Sequence, residues 1–172
     1  MDDRPRAAAD LAEGLVLATV EIQAPPGRVF RALSSAEIVS WWVRRGVFDT
    51  KEWSGTVQTG GAWQSAGLAM GRPYSLHGQY LQVDPPSRLV HTYRRGDVPG
   101  DPATTVSYSL EPAGDGTRIT LRHSGFTSRE VCMNNCLGWE TSLAELAALL
   151  APGATADAAA TQAPSGDGEP AG

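Results

Sequence analysis

Histidine is the residue type in this sequence best suited to acid–base chemistry near neutral pH. His123 lies in an alternating run in which Ile119 and Leu121 point to the same face of a predicted strand. A histidine among such neighbours is either a hydrogen-bonded core residue or a polar group inside a cavity. In the second case it could orient a ligand or act as a general base. The sequence leaves both interpretations open.

The two cysteines give a weaker indication of chemistry. Cys132 and Cys136 are four residues apart, and this spacing differs from the C-x-x-C pairs of zinc sites. No second pair of ligands follows, and no base that would activate a thiol is evident. We therefore predict no metal, no cofactor and no disulfide framework, with both cysteines packed as small apolar side chains. The motifs of serine hydrolases, phosphate-binding loops and zinc proteases are absent from the sequence.

Large aromatic side chains are concentrated in segments that should surround an interior space. Such rings are either ordinary core residues or the walls of a pocket for an apolar ligand. The pocket interpretation gives a set of candidate ligand-binding residues: Trp42, Phe48, Trp63, Tyr80, Tyr93, His123, Cys136, Trp139 and Leu143. Arg44 and Arg45 lie next to the suspected entrance, where they are either solvated or attract an acidic ligand head group.

A long amphipathic helix is predicted over residues 126–150, and the rest of the chain should pack on its apolar side. The side chains of that side recur at steps of three and four residues: Cys132, Cys136, Trp139, Leu143, Leu146 and Leu150. Thr127 and Glu130 fit a capping box at the start, and Pro152 ends the pattern because proline cannot continue a helix. Trp139 lies midway along this side, so it is well placed to line a pocket.

The residues before this helix predict one antiparallel sheet. An alternating strand at 15–23 is followed by Pro25, Pro26 and two short helices. Between 47 and 123, short apolar runs are separated by Gly, Pro and Asp turns, which indicates about six further strands joined by hairpins. The predicted fold is therefore α+β: a helix-grip in which a curved antiparallel sheet of about seven strands wraps on the long C-terminal helix. A cavity usually remains between the helix and the sheet of such a fold.

One domain is expected for 172 residues of which 41% are hydrophobic and 19% charged. We predict a flexible leader at 1–14, the helix-grip domain at 15–150 and a disordered tail at 151–172, because the tail has too little apolar surface to offset its ordering. A net charge of −5 argues against nucleic acid or an anionic membrane as partner. No run of about 18 apolar residues is present, so a cytoplasmic protein is predicted.

Six short motifs occur in an order that resembles a known family. They are A-P-P-x-x-V-F-x-A-L-S at 24–34, Trp41-Trp42, Gly60-Gly61, D-P-P-x-R-L-V-x-T-Y at 84–93, G-T-R-I-T-L-x-H-S-G at 116–125 and Gly138-Trp139. Together they resemble the START-like, birch-pollen-allergen-like (SRPBCC) superfamily. Within it, they are similar to homologues of the C-terminal domain of the ATPase activator of the ninety-kilodalton heat-shock protein. The resemblance covers residues 15–150 and implies a helix-grip fold without fixing an activity.

Three functions are compatible with these observations. The favoured one is the binding of a small apolar or amphipathic molecule between Trp139 and the sheet. The second is that of a cyclase- or hydratase-like enzyme, as among relatives by fold, with His123, His91 or Tyr80 as the reacting group. The third, which the resemblance implies, is that of a protein partner of the ninety-kilodalton chaperone. The sequence leaves open whether the domain also forms a homodimer.

Overall fold

The computed structural model describes residues 4–96 and 98–153, so the predicted tail at 151–172 lies almost entirely outside the described residues. The described residues form nine strands and three helices. In chain order these are β1 (Arg6–Asp10), β2 (Leu15–Ile22), α1 (Pro26–Leu33), α2 (Ile38–Trp41), β3 (Val43–Arg44), β4 (Phe48–Gly55), β5 (Ala62–Ala69), β6 (Arg72–Asp84), β7 (Arg88–Arg95), β8 (Thr104–Ala113), β9 (Gly116–Ser124) and α3 (Arg129–Leu149).

The strands form one curved antiparallel sheet with the order β1-β2-β9-β8-β7-β6-β5-β4-β3. The α+β class, the curved sheet and the long C-terminal helix are thus confirmed. The described residues contain nine strands where about seven were predicted, and the two additional strands are β1 and the two-residue β3.

The first strand corrects the prediction of a flexible leader at 1–14. Residues Arg6–Asp10 pair with β2 along the edge of the sheet. The carboxylate of Asp10 stabilises the following turn, because it accepts hydrogen bonds from the backbone N–H groups of Ala12 and Glu13, at 3.1 and 3.0 Å. The segment R-A-A-A-D shows no apolar alternation, so its pattern gave no indication of a strand.

The core lies between the inner face of the sheet and α3. On β9, Ile119, Leu121 and His123 are buried on one face, as their alternation predicted. The helix packs closely on β2 and covers the same side of the sheet. The largest side chains with almost no solvent exposure are Trp41, Ile22, Leu89, Ile119, Leu121, Leu143, Leu146 and His123.

The long helix begins one residue later than the predicted capping box requires. Ser128 is the N-cap, and its hydroxyl accepts a hydrogen bond from the backbone N–H of Val131 at 3.2 Å, so the prediction of Thr127 as the capping residue was wrong. The apolar side is as predicted, since Cys132, Cys136 and Trp139 are all buried. No helix within the described parts of the chain is long and apolar enough to span a membrane.

The two short helices bring a pair of adjacent tryptophans to the end of the core. Pro26 occupies the first turn of α1, where its missing N–H leaves no hydrogen bond unmade. The indole N–H of Trp41 donates to the carbonyl of Ala32 at 2.9 Å and ties α2 to α1. Trp42 follows the last residue of α2 with ψ of 67°, which leaves helical geometry, and both rings are buried.

Candidate ligand cavity between the long helix and the sheet

A cavity of about 440 Å³ lies between α3 and the part of the sheet formed by β3 to β7. Its volume is within the range of small-molecule sites. The residues that line it are Trp42, Arg44, Val47, Phe48, Ala69, Tyr74, Leu76, Tyr93, Arg95, Val98, Asn134, Asn135, Gly138 and Trp139. Larger grooves of about 630 and 720 Å³ lie at the outer side of α3 and along β4 to β6, but many of their lining residues are polar and exposed.

Aromatic rings form the walls of this cavity. Trp42 is at their centre: its ring stacks on that of Trp139, with centroids 5.9 Å apart and planes at 19°. Tyr93 lies 6.0 Å from the same ring and Trp63 lies 5.7 Å from it. These contacts hold the rings in fixed orientations, so the wall presents flat apolar surfaces before any ligand enters.

Trp139 is oriented by a chain of hydrogen bonds that leads into the sheet. Its indole N–H donates to Nδ1 of His123 at 3.0 Å. Because Nδ1 accepts, the imidazole proton is on Nε2, which donates to the hydroxyl of Thr104 at 2.6 Å. That hydroxyl in turn donates to the carbonyl of Tyr93 at 3.2 Å. Burial, followed by the electrostatic effect of His91, lowers the pKa of His123 to about 3.

This arrangement decides between the two interpretations of His123. Both ring nitrogens are engaged in hydrogen bonds and the side chain has no exposed surface. A general base needs a nitrogen that is free to accept a proton from a substrate. His123 is therefore a hydrogen-bonded core residue that supports the cavity wall from behind.

A second histidine lies among buried tyrosines. Nδ1 of His91 donates to the carbonyl of Thr92 at 2.9 Å, which leaves Nε2 as an acceptor. Burial lowers the pKa of His91 to about 4. Burial also raises the pKa values of Tyr80 and Tyr108, and no described residue forms a hydrogen bond with either hydroxyl. Tyr80 and His91 do not line the cavity described above.

The rim of the cavity is polar. The guanidinium of Arg95 donates to the carboxylate of Asp101, and this hydrogen bond holds the pKa of Asp101 below its ordinary value. The amide of Asn135 donates to the carbonyl of Val131 at 2.9 Å within α3. Arg44 is half-buried at the rim, and none of the described residues forms an ion pair or side-chain hydrogen bond with it.

Hydrogen bonds also fix the backbone around Trp42. The hydroxyl of Thr50 donates to the carbonyl of Trp42 at 2.6 Å, and therefore accepts from the hydroxyl of Tyr74 at 3.0 Å. Burial, the first of its causes, raises the pKa of Tyr74 above its ordinary value. The hydroxyl of Ser142 on α3 donates to the carbonyl of Val43 at 3.2 Å. The strand that carries Arg44 is thereby held against the long helix.

Residues 23–151 of the sequence match the family described as activator of Hsp90 ATPase homolog 1-like protein (AHSA1). The match spans most of the chain and nearly all of the residues between β2 and the end of α3. The chain belongs to the AHSA1 family. The resemblance found in its motifs is thus confirmed.

Solved structures of other proteins have the same fold as this AHSA1-family chain. Protein CV1439 from Chromobacterium violaceum is 29% identical, with a TM-score of 0.71, over 81% of this chain and 98% of that one. Protein NE0264 from Nitrosomonas europaea is 25% identical, with a TM-score of 0.69, over 81% and 95% of the two chains. Protein Ms6760 from Mycobacterium smegmatis, at 18% identity and a TM-score of 0.73 over 86% and 96%, shows the fold alone. A comparison with curated proteins gives no match.

The candidate residues predicted from the sequence of this AHSA1-family chain fall into two groups. Four of them line the cavity: Trp42, Phe48, Tyr93 and Trp139. The other five are buried around it without lining it: Trp63, Tyr80, His123, Cys136 and Leu143. Cys136 and Leu143 belong to the apolar side of α3, whose packing on the sheet takes up their side chains.

Several residues that line the cavity were not among the ligand-binding residues predicted from the sequence. They include Tyr74 and Arg95 on the sheet, and Asn134, Asn135 and Gly138 on α3. A signal for the helix residues was present, because Asn134 and Asn135 precede Gly138 by four and three positions and so share its side of the helix. The sheet residues gave no comparable signal, since their contribution depends on which strands become neighbours.

Proposed function

We propose that this AHSA1-family protein binds a small apolar or amphipathic molecule in the cavity between α3 and the sheet. The observation that supports the proposal most directly is the stacked pair of Trp42 and Trp139 beside unfilled space. Core aromatic rings normally pack to high density against their neighbours. Rings that are fixed in orientation and yet border a cavity of this size are suited to contact a ligand.

The composition of the lining also favours an amphipathic ligand. Phe48, Leu76 and Trp139 would remove apolar ligand surface from water, at about 25 cal/mol for each Å². Arg44 and Asn134 at the rim would contact the polar end of the molecule. Such a division between an apolar interior and a few polar groups is typical of small-molecule sites.

The enzyme hypothesis receives less support from the same geometry. His123, its leading candidate for a reacting group, has both ring nitrogens in hydrogen bonds to Trp139 and Thr104. The chaperone-partner hypothesis rests on the description of the family and stays a prediction. We therefore favour ligand binding over catalysis as the function of the cavity.

Native mass spectrometry of the purified protein, followed by a thermal-shift screen of lipids, polyketides and aromatic acids, tests the proposal. A ligand present at 100 times its dissociation constant stabilises the folded protein by about 2.7 kcal/mol, which raises the melting temperature by about 5–10 °C. Gly138→Leu, which places a side chain in the cavity, should abolish both the bound mass and the shift. If no compound binds, or if the variant binds as well as the wild type, the proposal is wrong.

A further inference from the structure

We infer that the cavity takes a planar aromatic or conjugated anion, whose ring system lies beside Gly138 and whose negative group pairs with Arg44. The inference rests on the proposed function and specifies the chemistry of the ligand. Two independent observations support it: a helix glycine that packing does not require, and a half-buried arginine without a partner among the described residues.

Gly138 lies in the interior of α3, where glycine is less favourable than any residue except proline. Its backbone does not adopt the positive φ that would favour glycine. A Cβ atom at this position would approach only Cε1 of Phe48, at 3.7 Å, which is an ordinary contact. Neither the backbone nor close packing therefore accounts for the missing side chain.

The effect of Gly138 is instead to leave space in the cavity, because a longer side chain here would extend between the helix and Phe48. Gly78 provides a contrast, since a Cβ there would lie 2.0 Å from the carbonyl oxygen of Thr92 and packing alone requires the glycine. Gly138 thus limits the size of what can enter beside Phe48 and Trp139. We regard it as a specificity-determining residue.

The shape of the space favours a flat molecule. The rings of Trp42 and Trp139 both border the cavity and are nearly parallel, with an angle of 19° between their planes. On the sheet side, Phe48 and Tyr74 meet edge to face, with centroids 6.4 Å apart. A planar ring system can contact flat and edge-on aromatic surfaces together, whereas a flexible chain would lose more conformational freedom on binding.

The charge at the rim favours an anion. Arg45 pairs with Glu145, with 3.3 Å between Nε and Oε1, and Arg95 pairs with Asp101. Arg44 forms no such pair with any residue that the structure describes, and Glu140, which borders the neighbouring groove, does not pair with it. The Arg44 side chain is partly exposed and also borders that groove, and a carboxylate or sulfonate at the rim would supply charge-assisted hydrogen bonds to it.

Two fluorescent probes with nearly the same ring system test this inference on the full chain. Anilinonaphthalene sulfonate carries a negative charge, and N-phenylnaphthylamine is its uncharged analogue. We expect both to bind the wild type, the sulfonate about tenfold more tightly. Arg44→Gln should reduce the affinity for the sulfonate to that of the neutral probe, without changing the latter. Arg45→Gln, at an exposed position, should leave both affinities unchanged.

The outcomes separate the inference from the proposed function. If Arg44→Gln leaves the ratio of the two affinities unchanged, the anion assignment is overturned while binding in the cavity stands. If neither probe binds the wild type, or if Gly138→Leu binds both as well as the wild type, the proposed function fails. Circular dichroism and thermal melting establish that each variant is folded. Should Gly138→Leu not fold, Gly138→Ala serves, with a several-fold loss of affinity expected for both probes together with a raised melting temperature.

Discussion

The indole nitrogen of Trp139 lies 3.0 Å from Nδ1 of His123, and this hydrogen bond joins the long helix to strand β9 of the sheet. An indole nitrogen can only donate, so the bond fixes the neutral tautomer of the histidine. The opposite nitrogen of His123 then donates to Thr104. One wall of the cavity is therefore held by a directed chain of hydrogen bonds rather than by packing alone.

Removing the last side chain of this network should destabilise the protein. Thr104→Val keeps the side-chain shape but leaves Nε2–H of His123 without an acceptor in a buried site. The unpaired donor should lower the free energy of unfolding by about 1–3 kcal/mol, measured by urea denaturation. Thr105→Val, on the opposite face of β8, is the matched control and should change it by less than about 0.5 kcal/mol. Equal effects for the two variants would contradict the proposed role of the network.

The buried histidines predict a loss of stability in mild acid. The native pKa values of His123 and His91, about 3 and about 4, lie below the unfolded value of about 6.5. The unfolded chain therefore binds more protons below about pH 6.5, and stability falls as the pH falls. Each histidine should lower the free energy of unfolding by about 2 kcal/mol between pH 7 and pH 5, measured by urea denaturation at both pH values. His91→Gln should reduce the loss of stability between pH 7 and pH 5 by about half. If this variant loses as much stability as the wild type, the burial of neutral His91 does not explain the pH dependence.

Two tyrosines should respond in opposite ways to the loss of their hydroxyl groups. The hydroxyl of Tyr74 donates to Thr50, so Tyr74→Phe should lower the free energy of unfolding by about 1 kcal/mol. The hydroxyl of Tyr108 has no hydrogen-bond partner among the described residues, so its removal breaks no hydrogen bond within them. Tyr108→Phe should therefore leave stability unchanged or raise it. A clear loss with Tyr108→Phe would mean that a bound molecule or water satisfies this hydroxyl.

Replacing either of two glycines by alanine should change the stability of the protein, but in opposite directions. Gly138→Ala should raise the free energy of unfolding by up to about 1 kcal/mol, because alanine favours the helix and its Cβ meets only Phe48 at an ordinary distance. Gly78→Ala should be destabilising, since its Cβ would collide with the backbone of Thr92. Thermal melting of both variants checks the pair. A lowered melting temperature for Gly138→Ala would show that this glycine is required by packing after all.

Local patterns along the chain were enough to predict the fold class and the apolar side of α3. Cys132, Cys136 and Trp139 recur with the period of a helix, and this periodicity depends only on neighbours along the chain. The alternation of Ile119, Leu121 and His123 likewise indicated which face of β9 is covered. Patterns of this kind are local, so they can be read without knowledge of the rest of the structure.

Which side chains of a strand point toward the core was harder to predict where the strand is irregular. A shift of register between Tyr80 and Gln82 changes the alternation within β6, and Leu89 and Val90 are both buried although they are adjacent. A β-bulge moves all later side chains of a strand to the opposite face. The sequence pattern therefore did not fix which side chains of β6 and β7 point inward.

The surroundings of the candidate site depend on contacts between segments that are distant in the sequence. Arg44, Tyr74 and Asn135 come from three elements far apart in sequence, and they meet because the sheet curves around α3. The role of His123 was open until Trp139 and Thr104 supplied its two hydrogen-bond partners from a helix and from another strand. Contacts between distant segments depend on strand order and register, which periodicity along the chain does not encode.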